Sequence, residues 1–279
     1  MQSQAKNAGP TSPGAPRSAT PPDRIPPGRR LRAGFACLVL LPGLLLGAPT
    51  NTFPDAPTAH PVRSEVAYHA AQTAAAATNS VANLWNLGRT AFDLAESLRL
   101  SKPKAKVAEA GITACRTAIA LEPASAPAHY YLALCLGQLA QTKTLGALRL
   151  VREIQSELER ARVLDATFDH AGADRGLGLL YLEAPGWPTS IGDRPLARRH
   201  LEKAVLLAPD YPDNHLGLLE ALVRAKDAPA AAAALTALEA AWPRAQGLLT
   251  GPDWSEAWAD WESRRQTLKT RVSRLNGRK

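Results

Sequence analysis

The residues able to do chemistry in this chain are few and widely spaced. Six histidines stand at 60, 69, 129, 170, 200 and 215, with no HExxH and no pair on one helical face. Three cysteines, Cys37, Cys115 and Cys135, form no CxxC. Zinc sites need such spacings, so no metal or other cofactor is expected. Gly176-Leu177-Gly178 lacks a third glycine and a preceding strand, so it is not a dinucleotide loop. A GxSxG elbow and a phosphate-cradling lysine loop are both missing, and the chain is expected not to be an enzyme.

The remaining candidates each have two readings. His129, His170 and His215 recur just after short turns, where a histidine is an ordinary first-turn helix residue. Cys115 and Cys135 fall on successive helices at packing positions, which suits two buried thiols. An oxidising compartment would also permit a disulfide, which sequence leaves open. Trp187 stands between Pro185 and Pro188 and is either a lid or contact residue of a long loop, or the side chain that pins that loop to the core. Glu220 and Arg224, four apart, either serve a ligand or brace their own helix.

Composition points to the elements that carry these residues. Ten Val, five Ile and 5 % aromatic residues are too few for sheets. Alanine and leucine dominate, and both are strong helix formers. The net charge of +8 sits at the ends: residues 1–48 carry +5, residues 264–279 carry +7, and the middle is −4. A nucleic-acid binder shows a basic stripe on its folded body, so no nucleic-acid partner is expected.

Three segments resemble one another: AIALEPASAPAHYYLAL (118–134), ARVLDATFDHAGADRGL (161–177) and AVLLAPDYPDNHLGLLEAL (204–222). Each closes one helix and opens the next across a short turn. The turn markers Pro123, Ala166 and Pro209 are 43 residues apart, and Pro243 follows 34 residues later. A fixed period of this size means stacked helix pairs. Small and large residues alternate ahead of each marker: Gly111, Cys115, Ala118; Ile154, Leu158, Ala161; Ala197, Leu201, Ala204; Ala231, Leu235, Leu238. Small residues there let paired helices approach closely. The 43-residue units carry inserts between their two helices, around Gln141–Gly146 and over 183–195.

The pattern over roughly 80–275 resembles the tetratricopeptide (TPR) superfamily. The stretch from Asp169 to Leu222, with Arg175, Gly178, Tyr181, Pro185, Gly192, Asp193, Ala204, Ala208 and Pro209, is similar to the T-component family of TRAP-type transport systems. The first resemblance implies an all-α, TPR-like helical-hairpin solenoid. Its first helices would then line an inner face carrying Tyr130, Leu134, Gln138, His170, Leu177, Tyr181, Glu220 and Arg224, with Trp187 at the rim. The alternative is that these side chains simply pack between helices. The second resemblance implies an exported, non-catalytic accessory to solute uptake. Its partner would be a protein such as a solute-binding protein, or a small apolar ligand. The competing function is a protein–protein interaction scaffold, periplasmic or tethered to the membrane.

The ends complete the expected organisation. Residues 1–32, rich in Pro, Gly, Ser and Arg, are expected to be a disordered basic leader, and 33–48 (AGFACLVLLPGLLLGA) are an uncharged apolar run behind Arg29–Arg32. That run fits a signal or anchor and a membrane contact, and an exported, periplasmic or membrane-anchored location in a bacterium. Residues 49–61 read as a linker, and 62–279 as the solenoid. At its end Trp254, Trp258, Trp261, Leu268, Val272 and Leu275 make one apolar stripe, with Asp253 placed to cap the helix. This helix either closes the solenoid or offers a surface to a partner or membrane.

Overall fold

The computed structural model describes residues 60–143 and 146–277. The leader 1–32, the apolar run 33–48 with Cys37, and the linker up to residue 59 lie outside the described residues. Ten α-helices follow one another, with no strand among the described residues. They are α1 (His60–Ala77), α2 (Val81–Ser97), α3 (Ser101–Leu121), α4 (Ala126–Gln141), α5 (Ala147–Leu164), α6 (Phe168–Glu183), α7 (Arg194–Leu207), α8 (Pro212–Ala225), α9 (Ala228–Leu248) and α10 (Ser255–Asn276). A 3₁₀ turn, Pro252–Trp254, leads into α10.

The hairpins α2/α3, α4/α5, α6/α7 and α8/α9 stack in order, and their first helices touch in series: α2 on α4, α4 on α6, α6 on α8. This is the expected helical-hairpin solenoid. α1 packs on α2, and α10 packs on α8 and α9. The small-residue positions explain the close stacking. Gly111, Cys115, Ala118, Ala161, Ala197, Ala204 and Ala231 are all buried. A Cβ added at Gly111 would lie 2.8 Å from Ala91 Cβ and 2.6 Å from Cys135 Sγ, so α2, α3 and α4 meet too closely for a larger residue. Cys115 and Cys135 are buried free thiols, with Cys135 Sγ donating to Gly88 O at 3.3 Å. Burial pushes both thiols above their ordinary range.

Local sequence sets most of the boundaries. Ser80, Asp193 and Asp227 accept from the third backbone N–H beyond them and start α2, α7 and α9. Two expectations need correction. Pro243 marks no turn; it lies inside α9, which runs on to Leu248. Asp253 does not cap α10, whose N-cap is Trp254; its carboxylate instead pairs with Arg63 of α1. The stripe of α10 is turned inward, with Trp254, Trp261, Leu268 and Val272 buried in one cluster against α8 and α9. Arg265 stacks over Trp242 at 4.5 Å and donates to Glu239, fixing α10 to α9. No described helix is long and apolar enough to cross a membrane.

Candidate functional site

The centre of the structure is a buried arginine. α6 begins Phe168-Asp169-His170-Ala171-Gly172, and Arg175 follows one turn later, next to Asp174 and ahead of the apolar run Gly176–Leu180. Only 2 % of its side chain is exposed. One terminal nitrogen, Nη2, donates to Asp169 Oδ2 at 2.9 Å. The other, Nη1, donates to Asn214 Oδ1 at 3.0 Å and to the His170 carbonyl at 3.1 Å. Nε lies 3.4 Å from Asp213 Oδ2, and the guanidinium covers the Tyr211 ring at 4.9 Å. Burial works against this charge, but Tyr130, Tyr211, Asp169 and Asp213 outweigh it and hold the guanidinium above its ordinary value.

The network extends across four helices. Tyr130 of α4 donates to Asp169 Oδ2 at 2.5 Å. Asn214 of α8 donates to the carbonyls of His170 and Ala204, each at 3.0 Å. Asp213 also accepts from Arg264 of α10, which lies 3.3 Å from Glu220 and 3.4 Å from Asp260. These contacts hold an unusual backbone. Asp169, His170 and Ala171 have φ of 49°, 55° and 62°, a left-handed run without glycine. Such a conformation costs about 1–2 kcal/mol per residue. Arg175 and Asn214 secure it by gripping the carbonyls it turns inward.

The Tyr211 ring also stacks on His170, with ring centroids 4.3 Å apart and planes within 3°. Trp254 sits edge-on to both rings. This aromatic group borders a cavity of about 590 Å³ at the edge where helices turn into one another. Its walls are the α5–α6 turn (Thr167 to His170), the α7–α8 turn (Leu207 to Tyr211) and the end of α9 with Trp254. Burial, opposed by Asp169 and assisted by Arg175, lowers the His170 pKa.

The structure distributes the expected site residues differently. Tyr130, Leu134, Gln138 and Leu177 are each at most 2 % exposed, and Tyr181 and Glu220 are also buried. They do not form an open inner face, because the first helices of successive hairpins close over them. Tyr130 holds Asp169, Tyr181 accepts from Gln155 and stacks on His200, and Glu220 meets Arg264. Arg224 pairs with Glu183 at 2.6 Å, across to α6 and not along its own helix. Trp187 is 89 % exposed, so it does not pin its loop to the core. Only His170 reaches the cavity. His129 and His215 are indeed first-turn residues: each ring Nε2 donates to the turn carbonyl six residues back, Pro123 O at 3.1 Å and Pro209 O at 2.7 Å. His170 occupies a different place, two residues earlier in its repeat.

Asp169, Asn214, Tyr211 and Trp254 were not expected in one site. The available signal was Arg175 itself, a lone cation in AGADRGLGLL. Among the described residues, no group of three or more His, Cys, Asp or Glu side chains is arranged to hold a metal ion.

Fold and site thus define a helical-hairpin solenoid with a charged, buried hub beside an edge cavity. The family described as regulator of microtubule dynamics protein 1-3 matches residues 59–169, well under half of the chain. No curated protein matches the chain. The matching family is neither of those suggested by the repeat pattern, which corrects both the TPR-superfamily and the T-component resemblances. Small residues and turn prolines are what any close stack of helical hairpins needs. They specify packing and do not identify a family.

Proposed function

We propose that this chain is a non-catalytic binding protein that holds a ligand in the edge cavity formed by the α5–α6 turn, the α7–α8 turn and the end of α9. The observation that carries this reading is the rigid frame of the cavity. Its rim residues Asp169, His170 and Tyr211 are held by Arg175 and Asn214, which reduces the ordering that binding must impose. Its volume of 590 Å³ is that of a small-molecule site. The apolar walls suit a ligand or partner side chain with a hydrocarbon body. The uptake role rests only on the corrected resemblance and is not part of this reading. The matched family contributes nothing to it either, since residues 59–169 meet the cavity only at Thr167, Phe168 and Asp169. An exported location remains part of the proposal, on Arg29–Arg32 and the apolar run 33–48.

The test is fluorescence titration of the full chain with the neutral apolar dye Nile red. Wild type should raise the dye's emission with a saturable curve. Ala208→Trp fills the cavity from the α7–α8 turn and should reduce that signal at least fivefold, with the far-ultraviolet circular dichroism unchanged. Equal enhancement by both proteins would refute the cavity as the site.

A further inference from the structure

The cavity has a charge preference. Asp169 and Asp210 line it, and no Lys or Arg does. Asp169 is 5 % exposed, and while its Oδ2 is held by Tyr130 and Arg175, its Oδ1 is buried without a hydrogen-bond partner. A buried carboxylate oxygen left unpaired is a costly arrangement that a nearby donor or positive charge relieves.

The backbone brings both helix poles to the cavity. The C-terminal ends of α7 and α9 border the cavity through Leu207, Ala208, Leu248 and Leu249, and helix C-termini carry negative partial charge. The starts of α6, α8 and α10 bring the opposite pole through Phe168, Tyr211 and Trp254, and at α6 two amides are already used: Asp165 Oδ1 accepts from the N–H groups of Thr167 and Phe168 at 2.9 and 3.1 Å. The cation beside Asp210 is Arg244, 3.0 Å away and 74 % exposed. Exposed pairs of this kind contribute little, so a bound cation can take the place of Arg244.

We propose that the cavity takes an organic cation with an apolar body. The ammonium or guanidinium head lies on the Asp169–Asp210 side and the hydrocarbon against Leu207, Leu248 and Trp254. This rests on the cavity being the binding site. The same chemistry is offered by a free amine and by a basic side chain in a peptide.

Titration calorimetry of the full chain at low salt tests it without the dye. The probes are phenethylammonium, its neutral counterpart 2-phenylethanol, the anion 3-phenylpropionate, and the peptide acetyl-Phe-Arg-amide. The ammonium should bind at least tenfold more tightly than the alcohol, and the carboxylate more weakly than either. Asp210→Asn should reduce the ammonium-over-alcohol preference at least threefold, with an unchanged unfolding midpoint. Tighter binding of the peptide than of phenethylammonium assigns a peptide source, and the reverse a free amine. Equal binding of ammonium and alcohol, preference for the carboxylate, or no binding of either cation at millimolar concentration overturns the proposal. A dye titration that still responds to Ala208→Trp would then leave the cavity a binding site of another charge class.

Discussion

Replacing Arg175 by methionine isolates what the buried hub contributes. Methionine keeps much of the length and removes the charge. The loss includes the 2.9 Å bond to Asp169, the 3.0 Å bond to Asn214, the 3.1 Å bond to the His170 carbonyl and the 3.4 Å pair with Asp213. Asp213 keeps Arg264, but Asp169 is left with only the Tyr130 hydroxyl beside a buried negative charge. Removing one partner of a buried pair costs about 3–5 kcal/mol, mostly through the charge left behind. In a folded region of this size each kcal/mol corresponds to about 2–4 °C, so the midpoint should fall by about 6–20 °C. Urea unfolding of the full chain, followed by circular dichroism, measures the free energy directly. Adding Asp169→Asn removes the orphaned charge and should recover part of the loss, whereas the same change in the wild type should only destabilise. Arg116→Ala is the control: its pair with Glu153 is 57 % and 35 % exposed and should contribute no more than about 1 kcal/mol. If Arg175→Met cost no more than this control, the hub would not be what holds α4, α6 and α8 together.

A Cβ at Gly172 would lie 2.6 Å from the hydroxyl of Tyr130, which is fully buried and cannot retreat. Gly172→Ala should therefore destabilise by about 1–3 kcal/mol despite alanine's better helix propensity, and unchanged urea unfolding would refute the close approach of α4 and α6. Burial lowers the pKa of His170 and of His215, against Asp169 and the Pro209 carbonyl respectively. The unfolded chain then binds protons that the folded chain refuses, so the stability present above about pH 6.5 is lost as pH falls below it. Thermal midpoints from pH 8 to pH 5 should show this decline, and the variant carrying both His170→Asn and His215→Asn should flatten it; a wild-type profile level down to pH 5 would contradict the burial argument.

Composition and spacing determined the architecture. Scarce Val and Ile excluded sheets, and the small residues ahead of Pro123, Ala166 and Pro209 located the helix contacts, because close approach has a local steric signature. The same pattern misread Pro243, since a proline inside a helix and one that ends a helix look alike until the packing on either side is known. Side-chain exposure lay further from view. Tyr130, Leu134, Gln138 and Leu177 occupy the positions that face inward in the expected solenoid, and only the stacking of α2, α4, α6 and α8 decides that this face is closed. The hub is more strongly a product of tertiary structure. Tyr130, Asp169, Arg175, Asn214 and Arg264 come from four helices and are separated by up to 134 positions in the chain. The left-handed run at Asp169–Ala171 has no glycine to announce it. Asp169 and His170 are of types that tolerate the left-handed region better than most, but Ala171 is not; the run of three is held because Arg175 and Asn214, brought in by the packing of α6 on α8, grip its carbonyls.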